Sequence, residues 1–419
     1  MDNQSLIVIG AGAAGMMAAI TAASKGVDVT LLEKRERAGR KLMITGKGRC
    51  NFTNIKDWQE FSSHIHPNKK FLKHSFHSFS NQDTIAFFES IGVESVVERG
   101  ERVFPKSGRA VTLVDAMVGE MEKLGVKVFY NSAVEDIVVS DSVVTGVVCR
   151  GQMYDCNALV VATGGLSYPS TGSTGDGYMF AQKSGHTLTE RFPSLTALMP
   201  IGYDSNLAGL TLKNIAMSLM VGSDVVQEEV GDIDFTNNGI EGPLGFRVSR
   251  KAVKAISNGN KCSLSIDLKP AVGKEQLKSR INKELEQFQG TSYETFALNF
   301  MPSAIVSFFM EGNKLDVSAK SMSKQEFSDL FCDALKNWRL SIVSYTSYER
   351  AVVTAGGVSL DQIYSKTMKS RICENLFFAG EVLDLDGDTG GYNLQIAFST
   401  GKKAGEEAAY LILRSTSTD

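Results

Sequence analysis

The chain reads as an α/β protein, a Rossmann-like nucleotide-binding domain interrupted by a β-rich plus helical insertion. Three observations lead there. The first 35 residues alternate a short all-apolar run, a glycine-rich turn, a small-residue helix and a second apolar run, the strand–helix–strand unit of a parallel sheet. After about Phe192 the texture changes to short alternating segments with turn signals between them. From Ala351 the first style returns, with Leu376–Ala379 (LFFA) followed by Gly380 and a glycine-rich helix start. The boundaries follow as 1–192 for the first part of the nucleotide-binding domain, 193–345 for the insertion and 346–419 for the second part, the insertion being of ordinary domain size.

Taken in order, Leu6–Ile9 is a strand buried on both faces, and it ends in Gly10-Ala-Gly12-Ala-Ala-Gly15. A helix follows to about Lys25, closed by Gly26, and Val27–Leu32 is the next strand with Glu33 at its end. Thr84–Ile91 and Leu113–Leu124 read as helices stopped by Gly92 and Gly125. Val126–Tyr130, Val134–Val139, Val143–Cys149 and Leu159–Ala162 read as strands, a meander plus a return to the parallel sheet. In the insertion, Ala216–Val221 and Leu264–Asp267 alternate as strands do. Glu275–Phe288 and Lys324–Leu335 have the spacing of amphipathic helices, which predicts a helical part near 272–337. Leu394–Gly405 is the last predicted helix.

Composition narrows the function. At 419 residues there is room for two or three domains. Lys and Arg number 44 against 47 Asp and Glu, and the net charge of −3 argues against a nucleic-acid binder that works through phosphate contacts. Glycine is abundant (39) while proline is scarce (8), so the glycines belong where backbone comes close to something rather than in linkers. Leu6–Ile9 follows the start without the basic and long apolar regions of a secretory signal, and no apolar run approaches the ~20 residues that span a bilayer. The six cysteines (Cys50, Cys149, Cys156, Cys262, Cys332, Cys373) form no CxxC pair, as expected of reduced thiols in a cytoplasmic protein with no membrane attachment. No metal is expected. His74 and His77 lack further ligands at suitable spacing, and the Asp384-x-Asp386-x-Asp388 run has Thr389 and Gln395 where a calcium loop needs Gly and Glu.

Four motifs carry the chemistry. Gly10-x-Gly12-x-x-Gly15 between a buried strand and a helix, with Glu33 after the second strand, is the pattern of a dinucleotide site. Gly10 allows the tight turn, Gly12 lets backbone approach a pyrophosphate at the helix N-terminus, Gly15 lets helix and strand pack, and Glu33 is suited to the ribose hydroxyls. Arg40, Lys41, Lys47 and Arg49 lie within ten residues, punctuated by Gly39, Gly46 and Gly48, which suits a loop over phosphates or an anionic substrate. Cys50 lies among these cations without a resolving cysteine nearby, which favours a packing role. Leu159–Gly165 is a buried strand ending in ATGG, continued by a polar loop through Gly177, and Gly390-Gly391 precede the last helix.

These residues together resemble the BaiN-like family of bacterial FAD flavoproteins, which includes aminoacetone-oxidase-like members. The resemblance rests on GAGAAG at 10–15, EK at 33–34, GRKLMITGKGRCNFTN at 39–54, ATGG at 162–165, TGSTGDGY at 171–178 and AGEVLDLDGDTGGYNLQIAFSTG at 379–401. It implies a glutathione-reductase-like FAD domain with the insertion closing over the flavin ring. It places Gly10, Gly12, Ala14 and Gly15 at the pyrophosphate, Glu33 and Lys34 at the ribose, and Val134 near the adenine. Arg40, Lys41, Gly46, Arg49 and Asn51 would run along the flavin, Thr163 and Gly164 beside it, and Gly380, Glu381, Gly391, Asn393, Leu394 and Gln395 near the ribitol and ring. Glu241 departs from the pattern, occupying a small-residue position in the insertion's G-x-x-G-P segment.

The expected activity is that of an FAD-dependent oxidoreductase acting on a small-molecule substrate. Only one complete GxGxxG is present, so an NAD(P)H donor would dock transiently, in a reductase or dehydrogenase acting for example on an activated C=C bond. An oxygen-using amine oxidase, a flavin-dependent redox sensor and a tRNA-binding flavoprotein are the alternatives. Arg49, Tyr168, Glu241 and Tyr392 are the candidate catalytic residues, because they fall in or beside motif loops and can exchange or stabilise a proton. The sequence leaves the oligomeric state open.

Overall fold

Five short parallel strands build the sheet that positions the site. The computed structural model describes residues 5–290, 292–315 and 322–415. Strand β1 (Ser5–Ile9) runs beside β2 (Asp28–Leu32), connected by helix α1 (Ala13–Ala23). Strand β3 (Lys127–Phe129) extends the sheet past β2, and β4 (Ala158–Val161) and β5 (Leu376–Phe378) extend it on the other side, giving the order β5-β4-β1-β2-β3. Every residue of β4 is buried, which is why that segment reads as an uninterrupted apolar run. The segments at 134–140, 143–149 and 152–155 form the expected antiparallel meander.

Helix α2 (Tyr392–Ser415) is longer than the Leu394–Gly405 segment predicted, and it lies against α1. Gly401 and Gly405 permit this approach. A Cβ at Gly401 would stand 2.3 Å from the carbonyl oxygen of Ala14, and one at Gly405 2.2 Å from that of Ala18. Small residues on both helices therefore set the separation, as ridge-and-groove packing requires.

The chain divides into two compact units. One comprises the residues up to Phe192 and those from Val352 onward, and the other is Pro193–Ala351. The second unit is built on a closed six-stranded barrel, in the order Leu198–Pro200, Gly239–Glu241, Asp224–Thr236, Thr211–Val221, Cys262–Asp267 and Trp338–Tyr345. Closure leaves no free sheet edge. A 16-residue helix, Gly242–Ser257, lies within this stretch where the sequence predicts only β segments. Its buried Leu244, Val248 and Ala252 repeat every four residues, and Pro243 sits in its first turn, where a missing N–H costs nothing. The helical part comprises Lys274–Gln287, Tyr293–Ala297, Ser303–Gly312 and Lys324–Lys336. Among the described residues, no helix is long and apolar enough to cross a membrane.

Candidate functional site

A cleft open to solvent runs along the carboxyl ends of β1, β2 and β4 and lies wholly within the unit that holds the parallel sheet. This is where ligands bind in open α/β sheets. Its floor is the glycine turn. Gly10 has φ of 100° and turns the chain toward α1; a Cβ there would strike the Ala162 carbonyl at 2.7 Å. A Cβ at Gly12 would meet nothing within 4 Å, so the backbone there is open to a ligand. Helix α1 has no side-chain cap and no acidic residue in its first turn, leaving its first N–H groups available to an anion.

Glu33 closes one end. Its carboxylate accepts the Ala11 N–H at 2.7 Å and the Arg35 N–H at 2.8 Å, so it fixes the glycine turn as well as facing the cleft. Burial raises its pKa despite those two bonds. Lys34 is held by Asp176 at 2.7 Å and by the Thr174 hydroxyl. Farther along, Lys41 pairs with Glu381 at 2.7 Å, and the other Glu381 oxygen accepts the Thr354 N–H at 2.8 Å. The Thr163 hydroxyl is buried at the cleft wall without a hydrogen-bond partner. It lies against Gly177, where a Cβ would stand 2.1 Å from the Thr163 oxygen, and is closed off from the cleft. The open Gly12 and the uncapped helix fit a bound dinucleotide.

The structure brings Gly10, Gly12, Ala14, Glu33, Lys34, Arg40, Lys41, Val134, Thr163, Gly164, Gly380, Glu381, Asn393 and Leu394 together around this cleft. It places the others elsewhere, each for a physical reason. Gly15 is pressed against the Gly10 carbonyl, where a Cβ would stand 1.8 Å away, so it serves packing. Gly46 has φ of 57° and turns a loop outside the cleft lining. Asn51 donates to the Thr53 and Val103 carbonyls at 2.8 and 3.0 Å. Gly391 lies against the Thr53 carbonyl, and buried Gln395 ties α2 to Thr53 and Phe79. These residues support the site from behind.

The catalytic candidates also fall outside the lining. Arg49 pairs with Glu98 and lies over the Phe104 ring at 4.5 Å. Tyr168 caps a short turn with φ of 54°. Tyr392 is buried against His64 and Phe61. Glu241 belongs to the barrel unit, at the junction of a strand and the Gly242–Ser257 helix. Cys50 is buried, and burial pushes its thiol up to about 12, so it stays protonated and unreactive at neutral pH. Lining residues that motif reading did not single out include Arg37, Thr45, Ser132, Ser173, Asp176 and Val353. Ser173 and Asp176 lie inside the TGSTGDGY segment, which carried the signal without saying which side chains turn inward.

The fold and the cleft define a dinucleotide-binding protein of the Rossmann type, and with the family and relatives that follow the class is that of an FAD-dependent oxidoreductase. The model of the HI0933-like protein Rossmann domain matches residues 4–407, and the chain belongs to that family. It is 30% identical to the 3-dehydro-bile acid delta(4,6)-reductase of Clostridium scindens, over 96% of this chain and 98% of that protein. It is 31% identical to the ribosomal RNA dihydrouridine synthase of Haemophilus influenzae, over 94% of this chain and 96% of that protein. Among solved structures, the 3-ketosteroid-delta4-(5alpha)-dehydrogenase of Rhodococcus jostii has a TM-score of 0.51 at 17% identity, covering 96% of each chain, which is a likeness of fold.

Proposed function

We propose that the protein reduces a carbon–carbon double bond conjugated to a carbonyl in a small organic substrate, with a nicotinamide dinucleotide docking transiently as the electron donor. The observation that carries this reading is the single glycine-rich phosphate loop in a cleft suited to one dinucleotide, which leaves a second nucleotide no Rossmann site of its own. The names of the two relatives support the chemistry, since each describes adding hydrogen across a C=C bond conjugated to a carbonyl. In the net reaction one hydride and one proton enter the substrate while NAD(P)H becomes NAD(P)⁺. FAD, when bound, supplies the two-electron transfer. The chain's own residues hold and orient it. The free N–H groups at the start of α1 would hold the pyrophosphate, Glu33 the ribose, Lys41 the flavin, and Glu381, Asn393 and Leu394 the ribitol and ring. Six free, buried cysteines are consistent with work in the cytoplasm.

An anaerobic spectrum tests this directly. NADH or NADPH is expected to bleach the bound flavin, and an enone is expected to restore its colour before air is admitted. Failure of both nucleotides, with bleaching by an amine instead, would move the assignment to an amine oxidase. A second reading, reduction of uracil within RNA, draws on the relatives named as ribosomal RNA dihydrouridine synthases. Dihydrouridine appearing in a ribosomal RNA fragment, with free enones left untouched, would select it.

Thr163→Val separates cofactor contact from packing. The change keeps the side-chain shape and removes an unsatisfied hydroxyl, so the apoprotein should hold its stability or gain about 1 kcal/mol. FAD affinity should stay at the wild-type value, because the hydroxyl faces Gly177 and not the cleft. A fall of about tenfold in a fluorescence titration would show instead that Thr163 turns to the cofactor.

A further inference from the structure

Two histidines that take no part in the scheme above share one carboxylate. His64 Nδ1 lies 2.8 Å from one oxygen of Asp388, and His66 Nε2 lies 3.1 Å from the other. The histidines flank Ile65 on one side of a two-residue antiparallel ladder, in which His66 pairs with Asp386 and Ile65 with Gly387. The Asp388 N–H donates to the His64 carbonyl at 3.0 Å and extends the ladder. The His64 ring stacks on Tyr392, the first residue of α2, with centroids 4.6 Å apart. Next in the chain, the Asn393 side chain grips the same turn. It accepts the Gly387 N–H at 2.9 Å and donates to the Gly387 and Asp388 carbonyls at 2.7 and 3.2 Å. Asn393 and Leu394 both line the cofactor cleft.

The Asp388 side chain is only 14% exposed, against 27% for His64 and 30% for His66. Burial by itself raises the Asp388 pKa, but the hydrogen bonds from the two imidazoles outweigh it and bring the value down to about 2. The carboxylate is therefore an anion at physiological pH. Neutral imidazoles can each donate one N–H to it, and a charged imidazole binds it more strongly. The titratable groups around this carboxylate are His64 and His66 from the ladder, Asp386 opposite His66, and Tyr392 from α2. No Lys or Arg among the described residues forms an ion pair with it.

We propose that His64, Asp388 and His66 form a positioning clamp that holds the entry of α2, and with it Asn393 and Leu394, at the cofactor cleft. The proposal rests on the reading of the cleft as the FAD site. Its signature is a loss of FAD affinity in variants that keep their thermal stability. A purely structural cluster would lower stability when cut and leave the affinity of the folded protein in place.

The test is titration of the apoprotein with FAD, followed by quenching of flavin fluorescence. Wild type is compared with Asp388→Asn, His64→Gln and His66→Gln, with thermal unfolding recorded alongside. Each folded variant is expected to bind FAD about tenfold more weakly than wild type. If Asp388→Asn does not fold, the two histidine variants carry the test, since each leaves the carboxylate one partner. Wild-type affinity in the folded variants overturns the clamp alone. Failure of wild type to bind FAD overturns the clamp together with the FAD reading.

Discussion

Glu33→Ala is expected to give a colourless protein after desalting. The substitution removes a carboxylate that accepts two backbone N–H groups, those of Ala11 and Arg35, at one end of the dinucleotide cleft. Hydrogen bonds to a charged partner contribute about 1.5–3 kcal/mol each, so the glycine turn loosens as the ribose loses its acceptor. The two effects act on the same ligand, and a fall in FAD affinity of about a hundredfold or more is expected, roughly 2.7 kcal/mol. Glu33→Gln should fall short of wild type as well. An amide offers one acceptor oxygen where two N–H donors are waiting, and its NH₂ would face one of them. The flavin-to-protein absorbance ratio measures the outcome. Full flavin content in Glu33→Ala would remove the residue from the site.

The other large effect concerns the framework. Gly401→Val is expected to destabilise the protein by about 3 kcal/mol or more, because its side chain must enter a contact where even a Cβ would stand 2.3 Å from a backbone oxygen of α1. Backbone cannot swing aside as a long side chain can. Gly119→Ala is the control. It lies in the helix Ala110–Lys123, a Cβ there meets nothing within 4 Å, and a gain of about 0.5–1 kcal/mol is expected from helix propensity. Thermal unfolding of both variants separates tight packing from a general intolerance of change. A wild-type midpoint for Gly401→Val would show that the α1–α2 contact is less constrained than its geometry implies.

The parallel sheet was legible because its strands are buried on both faces and its turns need glycine. Leu6–Ile9 and Leu159–Val161 carry little but apolar side chains, and Gly10 turns the chain where a Cβ would strike the Ala162 carbonyl. The Gly242–Ser257 helix was hidden for the opposite reason. Its outward side is rich in Arg and Lys and its buried side is narrow, so among neighbouring strands the four-residue repeat of Leu244, Val248 and Ala252 is easily passed over. At the site, motif reading found the loops but could not tell which face of each loop turns inward. Gln395 and Asn51 sit in motif segments and bond to backbone behind the cleft, whereas Ser173 and Asp176 face it. The carboxylate shared by His64 and His66 joins segments more than three hundred residues apart, a pairing that only the folded chain reveals.

The order of strands in the parallel sheet has a consequence for biosynthesis. Strand β4 pairs with β1 on one side and β5 on the other, yet roughly 200 residues separate β4 from β5 along the chain, and at about 5–20 residues per second a ribosome needs roughly 10–40 s to cross them. Throughout that interval β4 is a fully apolar strand with one edge unpaired, and α1 still lacks the α2 helix that packs on it. The barrel gains its closing strand, Trp338–Tyr345, only roughly 30 residues before β5, so for most of that interval it too has open edges. The nascent chain thus carries two unfinished sheets at once, and misfolding during synthesis should include wrong strand pairing within one chain as well as contacts between neighbouring nascent chains.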